Sequence, residues 1–426
     1  MTVKRMSLLL ISAILICMSL VVFFERAIIA GESYGDSDFF GFYNSLLFFF
    51  SGRDIYSPIF LKLGPLLYLL VRANLNAPFM VLLALPLHVF NYARAFLIWN
   101  VISAGCILAG GYLTLRPFPQ WHKYTLPILL LFLMYFPNIE TLIYGEPAAV
   151  LLVVLPLAWL FARENKDIPA GIFIGLACAF KLFCGLFLIY FLCIKRFRLL
   201  LSAFLTMLAT FLAGGIVFGF TSYLSYYKSL QDVFWFATSW NVSFNGFFGR
   251  LFSDGERNVS WIMAPHLASF LTLACSVILV AYLIWVWRKQ TPQQFDRGFS
   301  LVLVSMLLLS PLGWIYYFPL LLIPYLLMVS EKNDWVHLAA CILLLFSVKI
   351  PHLLLPSAIQ TMPQIFWDGG VGFYVLLGML VLLAKPYPEY RRFSPGLWGV
   401  IYALIFLPSI AVMVINFFSL TFGHRL

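Results

Sequence analysis

Apolar stretches long enough to cross a lipid bilayer recur along the whole chain, and they constrain its fold more than any other feature. Residues 7–24, 199–218 and 264–287 contain no Asp, Glu, Lys or Arg, and a transmembrane helix needs about 20 predominantly apolar residues. Laid over the whole sequence, such runs predict about 11–13 membrane-crossing helices. We therefore predict an all-α, polytopic integral membrane protein with additional interfacial helices on its outer face.

The composition excludes the common soluble classes. Of the 426 residues, 63% are hydrophobic and 10% are charged, whereas a soluble globular chain is typically about 45–50% apolar and about 25% charged. These few charges could not cover a water-facing surface of this size. A soluble enzyme, a disordered chain and a nucleic-acid-binding protein are therefore poor interpretations, and we expect a lipid bilayer and no nucleic acid as partner.

The basic residues indicate the orientation in the membrane. The chain carries 27 Lys and Arg against 17 Asp and Glu, and most of the basic residues fall in short loops on one side of the predicted helices. That asymmetry marks the cytoplasmic side, and it places the N-terminus there with Lys4 and Arg5. Most acidic residues fall on the opposite side, so we expect the chemistry on the outer face.

Three long segments form the predicted outer face of a single transmembrane domain, residues 1–426. They are residues 31–94, 219–262 and 351–370. Within the first, the apolar runs 39–50 and 79–90 are short for a full crossing, which favours helices that lie at the interface. If 79–90 crossed instead, the later helices would invert and the basic loops would lie outside. The long runs 168–194 and 299–330 each predict two spans, with turns near Lys181–Gly185 and Ser310–Trp314.

Two sites combine charge with an apolar setting. Asp36 and Asp38 lie just past the first predicted helix, where partial desolvation makes a carboxylate a usable proton acceptor. The alternative is a hydrated loop in which Asp38 caps the next helix. Lys181 lies within an otherwise apolar stretch, where an ammonium indicates a function or a partner. Its alternative is a lysine at a helix end that reaches the interface.

Further polar and aromatic candidates fall on the same predicted side. Asn241, Ser243 and Arg250 suit a sugar or a phosphate, since Arg forms paired hydrogen bonds with phosphate oxygens; ordinary loop polarity is the alternative. Trp314, Tyr316 and Tyr317 can stack on sugar rings or anchor helices at the interface. Glu146 adds a carboxylate at a helix start. No Gly-rich phosphate loop, His-rich metal site or Ser/His/Asp arrangement is evident in the sequence.

The order of these motifs resembles glycosyltransferase family 87 of the GT-C superfamily, which includes mycobacterial mannosyltransferases that extend phosphatidylinositol mannosides. The resemblance covers roughly residues 35–325. The stretches that carry it are Asp38-Phe39 with Tyr43, Gly52 to Pro58, Ala77-Pro78-Phe79 with Leu85-Pro86, Ala95 to Trp99, Gly145-Glu146, Gly171 to Lys181, Asn241-Val242-Ser243 with Arg250-Leu251, and Ser310-Pro311 with Trp314.

The resemblance implies a GT-C fold in the bacterial inner membrane with its active site on the periplasmic side. It implies transfer of a hexose, mannose first, from a polyprenyl phosphate to a hydroxyl of a glycolipid or glycan, with inversion. We expect no cofactor, because the carboxylates of Asp36 and Asp38 alone do not define a Mg²⁺ or Mn²⁺ site; a divalent metal stays an open alternative. Asp38 then corresponds to the general base, and Lys181, Arg250 and Arg53 to residues that bind the donor phosphate. The sugar or acceptor would contact Asp36, Tyr43, Glu146, Asn241, Ser243, Trp314, Tyr316 and Tyr317.

Two departures from the family pattern affect these roles. The family often has Gln at the position of Glu146, and His-His where this chain has Tyr316-Tyr317. Tyrosine can hydrogen-bond a sugar but is not a cation near pH 7. Two alternatives remain open: a transporter or flippase of lipid-linked glycans, and a polymerase similar to those that assemble O-antigen.

Overall fold

The structure is a computed structural model, and it describes nine ranges of the chain: residues 37–62, 68–71, 74–233, 236–254, 260–347, 370–384, 386–391, 393–394 and 396–397. Three of the sequence predictions lie outside these residues: the first helix at 7–24, the site residue Asp36 and nearly all of the 351–370 loop. The described residues form two compact units, each considered by itself. The single transmembrane domain stays a prediction.

The first unit comprises Met1–Met134, Asn138–Cys184 and Phe197–Val233. Among its described residues, two strands form an antiparallel pair, in which Ile59 pairs with Val71. Its helices and strands are α1 (Asp38–Phe50), β1 (Ile59–Lys62), β2 (Tyr68–Val71), α2 (Pro78–Ala84), α3 (Tyr92–Leu115), α4 (Thr125–Leu133), α5 (Phe136–Tyr144, from Asn138 on), α6 (Leu151–Arg163), α7 (Asp167–Phe180), α9 (Phe197–Phe218) and α10 (Thr221–Gln231). Short 3-10 segments precede α3, α4 and α6 at Leu85–Val89, Pro119–Tyr124 and Pro147–Val150.

The second unit comprises Tyr135–Pro137, Gly185–Arg196 and Phe234–Leu426. Within its described part, α13 packs against α16, and α15 packs against α14 and α16. The helices are α8 (Leu186–Cys193), α11 (Phe244–Phe252), α12 (Pro265–Arg288), α13 (Phe295–Leu309), α14 (Leu322–Val329), α15 (Asp334–Ser347) and α16 (Val371–Leu383). Two 3-10 segments also lie in this described part, Pro292–Gln294 with three residues and Ile315–Leu321 with seven.

Helix α1 begins one residue earlier than a cap at Asp38 would require. Ser37 is the N-cap: its backbone is extended and its hydroxyl accepts a hydrogen bond from the Phe40 N–H. The interpretation of Asp38 as the cap is therefore wrong, because the hydroxyl one position earlier already satisfies the orphan N–H. Asp38 lies in the first turn instead, where the helix dipole favours a negative charge.

Two glycines one helical turn apart allow α7 to pack closely on α9. A Cβ atom on Gly171 would lie 2.3 Å from the Leu199 carbonyl oxygen, and one on Gly175 would lie 2.5 Å from the Ala203 carbonyl oxygen. Small residues at this spacing let two backbones approach within a membrane. Lys181 directly follows the last residue of α7, Phe180.

The helical, polytopic character predicted from the sequence is confirmed. Within the described ranges, Tyr92–Leu115, Phe197–Phe218 and Pro265–Arg288 are each long and apolar enough to cross a membrane, and a helical pair bent by 51° could form one more span. The predicted breaks near 181–185 and 310–314 are present, since α7 ends at Phe180 and α13 ends at Leu309. The hairpin of β1 and β2 was not predicted. The count of 11–13 spans stays a prediction.

Candidate active site

A buried ion pair forms the centre of the candidate site in the first unit. The Lys181 Nζ lies 3.0 Å from the Glu146 Oε1, and the two side chains are 13% and 6% exposed. The same Nζ donates a hydrogen bond of 3.0 Å to the Asn76 Oδ1. Because a buried charge is costly unless it is paired and hydrogen-bonded, the contacts with Glu146 and Asn76 stabilise the ammonium at this place.

The turn that carries Glu146 depends on Gly145. Gly145 has a φ of +64°, and a Cβ atom there would lie 2.6 Å from the Phe39 Cβ, so a side chain is excluded by conformation and by space. The Trp99 Nε1 donates to the Gly145 carbonyl oxygen at 2.9 Å. Pro147 then starts the next 3-10 segment, so Glu146 is held between a closed turn and a helix start.

Asp38 belongs to the same neighbourhood. Its carboxylate is close enough to interact electrostatically with the Lys181 ammonium. The next residue, Phe39, is fully buried and packs against Phe96 and Trp99, with ring centroids 5.3 and 6.0 Å away. The aromatic contacts thus anchor the start of α1, and three charges predicted from three separate motifs lie together in one unit.

Asn76 and its neighbour Asn74 are site residues that sequence reasoning did not identify. Both are 4% exposed, and the Asn76 Nδ2 donates to the Asn74 Oδ1 at 2.9 Å. The signal available in the sequence was Asn-Leu-Asn directly before the Ala77-Pro78 helix start. Tyr56 supports the same segment, because its hydroxyl donates to the Asn76 carbonyl oxygen at 2.5 Å. Burial raises the pKa of this tyrosine well above its ordinary value, so the donor stays protonated.

Two other candidates of the first unit have contacts elsewhere in it. The Tyr43 hydroxyl donates to the Phe90 carbonyl oxygen at 2.7 Å, and its side chain is 6% exposed. The Arg53 guanidinium is exposed and lies over the Phe48 ring, 4.7 Å from the centroid. The roles given to Tyr43 and Arg53 stay predictions.

In the second unit, Asn241 holds two loop segments together. Its Nδ2 donates to the carbonyl oxygens of Phe236 and Pro311, both at 2.9 Å. Its Oδ1 accepts from the Ser243 hydroxyl at 2.8 Å and from the Gly313 N–H at 3.0 Å. The whole residue is buried. Asn241 and Ser243 therefore position the loop, and a direct contact of either side chain with a sugar stays a prediction.

Arg250 is a buried cation of the second unit. Its side chain is 1% exposed, and its Nη1 donates at 2.7 Å to the carbonyl oxygens of Thr238 and Asn241. Burial lowers the pKa of the Arg250 guanidinium to about 9, which still leaves it charged at pH 7. A phosphate contact through Arg250 stays a prediction.

Aromatic side chains line the loop that Asn241 fixes. Tyr316 lies 6.3 Å from Trp314, 6.2 Å from Tyr317 and 5.9 Å from Trp240, measured between ring centroids. Trp314 and Tyr317 are buried, whereas Trp240 and Tyr316 are partly exposed. Trp240 was not predicted as a site residue. A sugar contact by these rings stays a prediction.

The side chains of the described residues that could bind a metal ion are not clustered. No group of three or more His, Cys, Asp or Glu that could hold an ion occurs among the residues that the structure describes. The expectation that the protein needs no cofactor stays a prediction.

Comparison with known proteins identifies the family. The family model described as glycosyltransferase family 87 matches residues 74–311, which is more than half of the chain. The chain belongs to glycosyltransferase family 87. The resemblance predicted from the ordered motifs is thereby confirmed. The family 87 match includes Asn76, Glu146, Lys181 and Arg250, while Asp38 lies outside the matched range.

One named relative adds to the family 87 assignment. A Mycolicibacterium smegmatis protein named polyprenol-phosphate-mannose-dependent alpha-(1-2)-phosphatidylinositol mannoside mannosyltransferase is 25% identical over 250 residues. The similarity covers 55% of this chain and 54% of that protein, so the chain spans about half the length of the curated relative that it matches. No solved structure matches the chain.

Proposed function

We propose that this family 87 protein is a membrane hexosyltransferase that uses a polyprenyl-phosphate sugar and acts on the periplasmic face of the bacterial inner membrane. One observation carries the proposal: a buried ammonium, Lys181, lies beside Glu146 and within the electrostatic reach of Asp38. A carboxylate that accepts a proton and a cation that stabilises a phosphate are the two groups that such a transfer requires.

The proposed reaction is a single displacement. The acceptor hydroxyl gives its proton to the Asp38 carboxylate, and its oxygen attacks C1 of the sugar from the side opposite the phosphate. The bond between C1 and the phosphate oxygen breaks, and its electron pair leaves with the polyprenyl phosphate. The configuration at C1 is therefore inverted. Lys181 stabilises the negative charge of the leaving phosphate, and Arg53 of the same unit is proposed as a further ligand. The family resemblance also gives Arg250 a role in binding a donor phosphate, and that role stays a proposal.

The donor and the acceptor are proposed from the named relative. Its name specifies polyprenol-phosphate mannose as the donor and a phosphatidylinositol mannoside as the acceptor. We therefore propose mannose as the first sugar to test and a glycolipid or glycan hydroxyl as the acceptor. Trp314, Tyr316 and Tyr317 are proposed to contact the sugar or acceptor, and no cofactor is proposed.

A transfer assay with a matched carboxylate control tests the proposal. Purified protein is incubated with labelled polyprenyl-phosphate mannose, glucose, galactose and arabinose in turn, with a mixed extract of host lipids and glycans as acceptor. Asp38→Asn is expected to abolish transfer from the accepted donor, a loss of at least about 100-fold. Asp254→Asn is expected to retain full activity, because Asp254 is exposed and its Oδ1 accepts hydrogen bonds from Ser260.

The result decides between the proposal and the open alternatives. Transfer that survives in Asp38→Asn would exclude this residue as the base. Movement of an intact lipid-linked glycan across vesicles, without a new glycosidic bond, would indicate a transporter or flippase. Products that lengthen by whole repeat units would indicate a polymerase.

A further inference from the structure

A series of buried side-chain hydrogen bonds leads from Lys181 to helix α1. The Lys181 Nζ donates to the Asn76 Oδ1 at 3.0 Å, and the Asn76 Nδ2 donates to the Asn74 Oδ1 at 2.9 Å. The Asn74 Nδ2 donates to the Ser45 hydroxyl at 3.0 Å, and that hydroxyl donates to the Ile55 carbonyl oxygen at 2.6 Å. We call Asn76, Asn74 and Ser45 the amide relay.

The amide relay has one consistent direction. The Asn74 Oδ1 also accepts from the Asn76 backbone N–H at 2.9 Å, which fixes the orientation of the Asn74 amide. If the Asn76 amide were reversed, its NH₂ group would face an ammonium, and both groups are donors only. The relay therefore keeps a carbonyl oxygen, and not an NH₂ group, towards Lys181.

The relay also joins Lys181 to the helix that carries Asp38. Ser45 lies on α1, which begins at Asp38, and Ser45 is 1% exposed. Buried polar groups of this kind are strongly constrained, since each lost hydrogen bond leaves its partner unsatisfied in a low dielectric. A shift of α1 would therefore disturb the acceptor that holds the ammonium.

We propose that Asn76, held by Asn74 and Ser45, is a positioning residue that fixes the Lys181 ammonium for the donor phosphate. The inference rests on the proposed function for its ligand. Glu146 holds the same Nζ with a charge, whereas Asn76 holds it with a neutral oxygen. The amide thus restricts the position of the ammonium without neutralising it further.

The experiment measures how readily the Lys181 amine reacts, separately from glycosyl transfer. Acetic anhydride acetylates the Lys181 amine in the purified full chain, and mass spectrometry follows the rate in wild type, Asn76→Ala, Ser45→Ala and Asn44→Ala. Asn44 is the control, because it neighbours Ser45 on α1 and its amide donates to the Phe40 carbonyl oxygen. The kcat and the donor KM are measured with polyprenyl-phosphate mannose.

Losing one hydrogen bond to a charged group is expected to raise the acetylation rate of Lys181 about tenfold in Asn76→Ala. The donor KM is expected to rise by a similar factor, and kcat is expected to fall as well, because the ammonium binds the phosphate of the donor and also stabilises the charge that develops on it when it leaves. Ser45→Ala removes a single hydroxyl, and it is expected to raise both the acetylation rate of Lys181 and the donor KM by about threefold.

An unchanged acetylation rate in Asn76→Ala would overturn the proposal, as would an equal rise in Asn44→Ala. Should Asn76→Ala not fold, the comparison of Ser45→Ala with Asn44→Ala gives the same decision. If the acetylation rate rises in Asn76→Ala but the wild type transfers sugar from none of the tested donors, the proposed function would be contradicted. The result would still support the inference that the amide relay positions Lys181.

Discussion

The pair of Lys181 and Glu146 allows one electrostatic prediction to be worked in depth. Lys181→Met removes the ammonium and leaves the Glu146 carboxylate buried, since that side chain is 6% exposed. The chain supplies a matched exposed pair: the Lys166 Nζ lies 2.7 Å from the Glu164 Oε2, with side chains 58% and 48% exposed. Lys166→Met therefore removes the same kind of contact from a solvated place.

The expected magnitudes differ because burial differs. Removing one partner of a buried pair costs about 3–5 kcal/mol of unfolding free energy, which is the value expected for Lys181→Met. Removing one partner of a solvated pair changes the free energy of unfolding little, because water already screens the two charges; this small effect is expected for Lys166→Met. Glu146→Gln is expected to cost about 1–3 kcal/mol, because its amide oxygen can still accept from the ammonium.

The double variant Lys181→Met/Glu146→Gln separates pairing from packing. Replacing both charges also removes the buried carboxylate that has lost its ammonium, so the double variant is expected to recover most of the stability lost in Lys181→Met. Unfolding in mixed micelles, followed through the fluorescence of the 12 tryptophans, measures each variant. Binding of polyprenyl phosphate is measured in parallel, and it is expected to tighten in Glu146→Gln and to be lost in both Lys181 variants.

Two results would refute this reasoning. If Lys181→Met cost no more than Lys166→Met, the Lys181 and Glu146 pair would not be desolvated. If the double variant were as unstable as Lys181→Met, the loss would come from packing and not from the lost attraction between the ammonium and the Glu146 carboxylate.

Two further predictions concern packing and loop geometry. Gly175→Ala is expected to lower the free energy of unfolding by about 1–3 kcal/mol, because its Cβ would lie 2.5 Å from the Ala203 carbonyl oxygen. The control Gly105→Ala places a Cβ where nothing lies within 4 Å, so it is expected to be neutral or slightly stabilising. Thermal unfolding in detergent compares the two variants, and equal losses of stability would contradict the close packing. Asn241→Ala is expected to lower the free energy of unfolding by at least about 2 kcal/mol, measured in the same way. Asn245 is an exposed donor to the same Pro311 carbonyl oxygen, so Asn245→Ala is expected to change stability little. Equal losses in the two variants would contradict the role of Asn241 in the loop.

The breaks in the long apolar runs could be predicted because length alone demands them. Residues 168–194 and 299–330 are too long for one span, and the structure ends α7 at Phe180 and α13 at Leu309. Lys181 could also be singled out, because an ammonium in an apolar stretch needs a partner. The identity of that partner could not be predicted, since Glu146 belongs to a different motif and only the fold brings the two together.

Polar candidates in loops were harder to interpret. Asn241 and Ser243 suggested a sugar or phosphate site, yet the Asn241 amide forms hydrogen bonds with five groups of its own unit. A sequence shows which residues can donate or accept hydrogen bonds, but the folded loop decides which of these groups are already satisfied. The same reason explains Asn76 and Asn74, whose pattern gave no indication of a contact with Lys181.

Glu146 sets a balance between the stability of the donor-free site and its attraction for an anion. The Glu146 carboxylate stabilises the Lys181 ammonium at 3.0 Å in a largely desolvated place, so the loss of its charge would make the fold less stable. With it, a donor phosphate must share the ammonium with Glu146, and with Asp38, whose charge also acts on it. Stability and phosphate affinity therefore change in opposite directions at position 146, whereas the neutral Asn76 restrains Lys181 without weakening that attraction.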